Sequence, residues 1–175
     1  MESLKYTDEA DRCYGAAGMA VSLVIYNGED VLAGFSLDDA TGNDTISLTP
    51  DFFFAGSPGV QATTAWRQIL KNYNLGVAIV LGNVLCRHLV NRHHGVPSDV
   101  EKTLRTFALD EGADACQLEA DEVKTIFDKT YNYLTRVFSH RGVQAVVQDF
   151  VSALQSRRTL SRHDALDLMS ALSRL

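Results

Sequence analysis

The stretch of residues 75–90 constrains this fold most, because its apolar side chains fall on every face whichever period is assumed. A segment that is apolar all round belongs in a protein interior rather than at its surface. It is interrupted by Asn83, Arg87 and His88. It is also too short to cross a bilayer, which needs about 20 apolar residues. We therefore expect a buried central helix around which the rest of the chain packs.

A second interpretation of this stretch stays open. Residues 76–81 are rich in β-branched side chains, and periodicity alone cannot distinguish a short buried strand from a buried helix. The helix is favoured because apolar positions continue through Leu85 and Leu89 without a turn signal. Gly76 and Gly82 would each destabilise that helix by about 1 kcal/mol relative to alanine. The helix therefore predicts that a neighbouring element packs closely against both glycines.

A hairpin is predicted before the central segment, with its turn at Asn27 and Gly28. The runs on either side, residues 19–26 and 31–37, are both apolar. Asn-Gly between two such runs is a strong hairpin signal, because both central residues of a type I′ turn require positive φ. Both faces of this hairpin would be apolar, so helices, a loop or a second subunit must cover each of them.

The remaining signals predict strands first and helices afterwards. A turn at residues 41–44 and a third short strand at 45–48 follow the hairpin. Helices are then expected at residues 60–73, which lead into the central segment, and at 98–109, 120–138, 143–154 and 161–172. The expected fold is α+β, with a small antiparallel sheet of three or four strands at about residues 18–55 and a bundle of about five helices. The chain is read as one domain, β-rich over residues 1–59 and helical over 60–175.

Two helix boundaries rest on specific patterns. Ser98 with Glu101 matches a capping box, and Gly112 is expected to end the helix that Ser98 begins. Ser161 with Asp164 matches a second capping box at the start of the last helix.

Charge is divided unevenly along the chain. Residues 1–60 carry ten acidic and two basic side chains, whereas residues 130–175 carry six arginines and three acids. An acidic N-terminal part would repel nucleic acid and anionic membranes, and we expect neither as a partner. The three cysteines are far apart and odd in number, and no signal peptide is evident. These features predict a cytoplasmic protein without disulfide bonds.

No motif indicates a cofactor, a metal or a catalytic reaction. Cys86 and His93 share a helix face, but a structural zinc site needs four ligands at close spacing, so we expect no metal. No glycine-rich phosphate loop is present. His140 and Arg141 could bind an anion at the start of the next helix, but an ordinary polar helix–helix turn is the favoured explanation. Arg158 lies in a basic linker that suits a solvated turn or a contact with the acidic N-terminal part.

Two classes of function remain. The first is a non-catalytic protein-interaction or assembly module that acts as a homodimer, because an uncovered apolar hairpin face marks a partner surface. That surface would include Val21, Leu23 and Ile25. The alternative is a small-molecule binder or an enzyme with a pocket between sheet and bundle. The candidate pocket residues are Phe52, Phe54, Trp66 and Tyr73. The absence of catalytic spacing favours the first class.

Overall fold

The computed structural model describes residues 4–38, 45–53 and 62–174. The helices in chain order are α1 (Glu9–Ile25), α2 (Pro50–Phe53), α3 (Ala62–Leu85), α4 (Ser98–Cys116), α5 (Ala120–Ser139), α6 (Arg141–Arg157) and α7 (Arg162–Met169). The strands are β1 (Leu32–Ser36), β2 (Ile46–Leu48) and β3 (Thr159–Ser161). Two 3₁₀ helices, Glu29–Val31 and Ser170–Arg174, and a π-helix, Cys86–Asn91, complete the described structure.

The three strands form an antiparallel sheet in the order β2-β1-β3. Phe35 pairs with Ile46 on one side and with Leu160 on the other. The predicted α+β class is confirmed, with a small sheet beside a helical bundle. The predicted strand at residues 45–48 is confirmed as β2, and the predicted turn at residues 41–44 lies outside the described residues. The third strand comes from the C-terminal part of the chain, far from the predicted region.

The predicted hairpin is wrong, because residues 19–25 belong to α1. Asn27 does adopt positive φ, at 51°, but it does so at the end of a helix. The amide of Gly28 donates to the carbonyl of Leu23, and the amide of Asn27 donates to that of Val24. This pair of hydrogen bonds is the Schellman motif, which also requires a left-handed residue just after the helix. The same Asn-Gly signal therefore ended a helix instead of turning a hairpin.

The central segment is confirmed as a buried helix, which runs through α3 into the π-helix. Thr64–Asn91 also meets the length and hydropathy criteria for a membrane-spanning helix. However, 56% of its most apolar window is buried inside the protein.

The two glycines of the central helix have different surroundings. A Cβ on Gly82 would overlap Ser22 Oγ and the carbonyl oxygen of Gly18, so α1 and α3 cross with their backbones in contact. The predicted close packing is therefore confirmed at Gly82. It is wrong at Gly76, where a Cβ would have only Phe52 Cζ nearby, at 3.8 Å.

The helices around α3 differ from those expected from the sequence. The core residues Ile79, Leu81, Val84 and Leu85 are all buried. Their main neighbour is α1, with α4 and α5 on other sides, whereas α6 packs chiefly on α1. Phe150 of α6 instead meets Phe35 of the sheet edge to face, with ring centroids 5.2 Å apart. The apolar stripe of Val146, Phe150 and Leu154 predicts that α6 packs on these core residues, and this prediction is wrong because α1, predicted as a strand, occupies that place.

The two predicted capping boxes have different outcomes. Ser161 and Asp164 form one at the start of α7, where the Asp164 amide donates to Ser161 Oγ at 3.1 Å. The box at Ser98 is wrong, because Pro97 precedes α4 and no side chain caps it. Gly112 does not end α4, which continues to Cys116. A Cβ at Gly112 would collide with Val123 of α5, so this glycine permits close helix packing.

We predict opposite effects for the same substitution at the two glycines of α3. Gly76→Ala should raise the free energy of unfolding by about 0.5–1 kcal/mol, because alanine restricts the unfolded chain and nothing opposes its methyl group. Gly82→Ala should lower it by about 1–3 kcal/mol, because α1 must move away. Chemical denaturation measures both, and similar effects at the two sites would contradict the α1–α3 contact.

Candidate functional site

An apolar cleft of about 550 Å³ lies between the sheet and the helical bundle. Leu48 of β2 and Phe52 and Phe53 of α2 form one wall. The floor is α3, and α4 forms the other wall through Phe107, Glu111 and Ala115. The α3 residues in the floor are Ile69, Asn72, Tyr73, Gly76, Val77, Ile79 and Val80. The missing side chain of Gly76 adds to this space.

Two of the three polar side chains that line the cleft are occupied by internal hydrogen bonds. Asn72 Nδ2 donates to the Phe52 carbonyl at 2.8 Å, which ties α2 to α3. The Tyr73 hydroxyl donates to the Ala108 carbonyl at 2.9 Å, which ties α3 to α4. Burial, together with the nearby Cys116 and Glu111, raises the pKa of Tyr73 to about 12. Among the described lining residues, Glu111 is therefore the one ionisable group left to meet a ligand.

Large aromatic side chains surround the cleft at the surface. Phe53, the last residue of α2, is 73% exposed, and Phe107 of α4 is 40% exposed. Trp66 is 43% exposed and lies one turn before Ile69, on the same side of α3. We call Phe53, Trp66 and Phe107 the aromatic rim. Exposed apolar groups concentrated at one place usually mark a binding surface.

The predicted pocket residues have mixed outcomes. Phe52 and Tyr73 line the cleft, Trp66 lies beside it, and Phe54 is outside the described residues. Sequence reasoning did not identify Gly76 or Phe107. A signal for Phe107 was present in the sequence, because it follows Val100 by seven residues and Leu104 by three, which is the spacing of one side of a helix.

The residues predicted for a dimer surface do not form one. Val21 and Leu23 have no exposed area, and Ile25 is half-buried, because all three lie in α1 within the bundle. The apolar hairpin faces that motivated the dimer are therefore absent.

Some acidic side chains of the N-terminal part form ion pairs with a basic side chain of the C-terminal part of the same chain. Arg158 lies 2.9 Å from Glu9 and 2.8 Å from Asp38, so the basic linker contacts the acidic N-terminal part. This contact with the acidic N-terminal part is one of the two explanations predicted for the linker.

His140 and Arg141 form the turn between α5 and α6. His140 Nδ1 accepts a hydrogen bond from the Gly142 amide at 3.2 Å and so caps α6. Arg141 is exposed as the first residue of α6. The Gly142 amide, which an anion bound at the start of α6 would need, thus already donates a hydrogen bond to His140.

Cys86 and His93 of the central segment, which share a face in the sequence, are separated. Cys86 is fully buried against Gly18, whereas His93 is exposed with φ of 55°. Within residues 4–38, 45–53 and 62–174, no group of three or more His, Cys, Asp or Glu side chains could hold a metal ion. Burial raises the pKa of Cys13 to about 11, so this thiol is a poor nucleophile.

A buried ionic network was missed by the sequence analysis. Asp11, in the first turn of α1, has no exposed area. Arg87 Nη2 donates to Asp11 Oδ2 at 2.6 Å, and Arg92 Nη2 lies 3.0 Å from Oδ1. The Arg87 guanidinium also donates to the carbonyls of Leu4 and Lys5, at 3.0 and 2.7 Å. The network therefore ties the N-terminal segment and α1 to the end of the central helix.

The Asp11 carboxylate is stabilised in its charged form. Burial alone would raise its pKa, but the hydrogen bond from Arg87, the Thr7 amide and the two arginine charges outweigh burial and hold the pKa below the ordinary 3.8. Asp11 Oδ2 accepts hydrogen bonds from Arg87 and the Thr7 amide, and Oδ1 lies within ion-pair distance of Arg92, so we interpret the network as structural. Its contribution to stability is present above the unfolded-state pKa and is lost as pH falls through the folded-state pKa.

We predict that Asp11→Asn lowers the free energy of unfolding at neutral pH by about 3–5 kcal/mol, because it leaves a buried arginine charge uncompensated. In the native protein, protonation of Asp11 at a pH below 3.8 should contribute to acid destabilisation. The variant has no carboxyl group at this position, so its stability should fall less over the same pH range. Asp128→Asn is the matched control, since Asp128 pairs with Arg105 at 2.6 Å near the surface and should contribute at most about 1 kcal/mol. Urea denaturation between pH 2.5 and 7 measures both. Equal losses in the two variants would contradict the network.

Comparison with protein-family models, curated proteins and solved structures found no match to this chain. Its function must therefore be argued from the cleft and its surroundings.

Proposed function

We propose that this protein is a non-catalytic interaction module that binds an apolar part of another protein in the cleft. The observation that carries this proposal is the aromatic rim around an apolar cavity. Phe53 and Phe107 expose large apolar areas at its mouth, where a partner could bury them. Aromatic anchors beside a pocket are the groups that supply most of the binding energy in protein interfaces.

The chemistry of the cleft supports binding rather than catalysis. A general acid–base pair needs two ionisable groups placed near one reacting atom. Of the described lining residues, Tyr73 holds its proton in a hydrogen bond to Ala108, and Glu111 has no ionisable partner in the lining. Recognition in this cleft would thus rest on shape and apolar contact.

A small apolar molecule is the second candidate ligand. The observation in its favour is the cavity volume of about 550 Å³. Pockets for small ligands typically measure about 300–1,000 Å³ and are mostly apolar with a few polar groups.

The predicted homodimer stays a prediction. Because Val21 and Leu23 lie inside the fold, a dimer would need another apolar surface, and the aromatic rim is one candidate. We also propose a cytoplasmic location. The three cysteines are all free, which suits a reducing compartment.

We predict that filling the cleft abolishes its binding of an apolar probe. Gly76→Leu places a side chain in the cavity, and it should weaken binding of the neutral dye Nile red by tenfold or more, about 1.4 kcal/mol. Gly76→Ala is the matched control, because a single methyl group makes only ordinary contact with Phe52. Fluorescence titration measures both, after circular dichroism has shown that they are folded. Equal dye affinity in the two variants would mean that the cleft is not the site.

A further inference from the structure

We infer that the occupant of the cleft is an amphipathic helix of a partner protein whose apolar face is flanked by lysine or arginine. This inference rests on the proposed function and names the class of partner. It follows from the charge around the cleft and from the shape of its floor.

One wall of the cleft carries a strip of carboxylates. Phe107, Glu111 and Ala115 of α4 line the cavity at intervals of four residues. Asp110 follows Phe107 by three residues, and Asp114 follows Glu111 by three. Each aspartate therefore lies about 60° around the helix axis from the residue that it follows. Both are exposed, on the side of Glu111 that faces away from the buried residues of α4. We call Asp110, Glu111 and Asp114 the acidic strip.

The acidic strip is not neutralised by the described part of the chain. None of its three carboxylates lies within ion-pair distance of a described basic side chain. No described lining residue of the cleft is basic. The 3₁₀ helix Glu29–Val31, which carries the acidic residues Glu29 and Asp30, contacts the α2 wall. The elements at both walls of the cleft thus carry acidic residues, and no described lining residue is basic, which favours a partner with basic flanks.

The floor of the cleft has the dimensions of a helix-binding groove. From Trp66, which lies beside the cleft, to Val80 of its floor, one side of α3 presents aromatic, aliphatic and glycine positions at helical spacing, with Asn72 among them. These 14 steps at 1.5 Å per residue span about 21 Å. A helix of about four turns would match this length, with anchor side chains at positions i, i+3, i+4 and i+7. Phe53 and Phe107 would then pack against its sides.

Charge also argues against the other occupants. A twofold dimer formed through this face would bring two acidic strips into one interface, and the described lining of the cleft supplies no basic residue to pair with them. A fatty acid would place its own carboxylate beside the acidic strip. A basic amphipathic helix satisfies both the apolar floor and the acidic sides.

The test uses two designed peptides of about 20 residues that share one apolar helix face. One carries lysines on its flanks and the other carries glutamates, and fluorescence anisotropy measures their binding to the whole protein. The lysine peptide should bind at least about tenfold more tightly at low salt, and this preference should shrink as salt screens the surface charges. Gly76→Leu should abolish its binding, and Gly76→Ala should preserve it.

A charge variant separates specific recognition from apolar adhesion. Asp110→Asn with Asp114→Asn should weaken binding of the lysine peptide by about fivefold and leave Nile red binding unchanged. Asp121→Asn with Glu122→Gln, exposed at the start of α5, is the matched control and should leave both unchanged. Glu122→Gln keeps an oxygen acceptor for the Glu119 amide that Glu122 caps, so we expect these surface substitutions to have little effect on folding.

Three results would overturn the inference. Equal binding of the two peptides would remove the role of charge, and undiminished binding to Gly76→Leu would remove the cleft. A dimer in light scattering that Phe107→Ser dissociates would identify a second copy as the occupant.

If Nile red binds in the cleft but neither peptide does, the occupant is a small molecule and the cleft remains the site. If the dye also fails to bind there, the proposed function is wrong as well.

Discussion

The contact between Gly18 and Gly82 is the constraint on which the rest of the structure depends. At this point the backbones of α1 and α3 touch, so that a single methyl group on either glycine would overlap the other helix. Such an approach buries nearly all of α1 between Asp11 and Leu23, and it explains why α1 carries Gly15, Ala16 and Ala17 beside Gly18. The close crossing also brings the start of α1 beside the end of the central helix. Asp11 can then meet Arg87 and Arg92 inside the protein.

The same central helix creates the cleft because its two glycines have different neighbours. Gly82 is filled by α1, whereas Gly76 is left open between α2 and α4. The hydrogen bonds from Asn72 to Phe52 and from Tyr73 to Ala108 hold the two walls at a distance from each other. The core and the candidate site therefore lie on two sides of one helix. A substitution in α3 must be tested for its effect on stability and on binding.

Local signals in the sequence predicted some elements correctly and failed where a distant contact decided the outcome. The buried helix at residues 75–90 was predictable because its composition excludes a surface position. Asn27-Gly28 misled because a type I′ turn and a Schellman motif both require positive φ, and only the α1–α3 contact selects the helix. Gly112 misled for a related reason, since its missing side chain serves the packing of α5. The cleft was predictable only in part, through Phe52 and Tyr73, because its α4 wall depends on how two separate helices pack.

The position of β3 has a consequence for how the protein is made. β1 is paired on one edge by β2, which follows it closely in the chain, and on the other by residues 159–161. During synthesis the second edge of β1 therefore stays open until the last part of the bundle has left the ribosome. An unpaired edge strand is a template for association with other chains. The nascent protein thus passes through a long interval in which its N-terminal sheet is exposed, and rapid burial of β1 against the helices would limit misassembly.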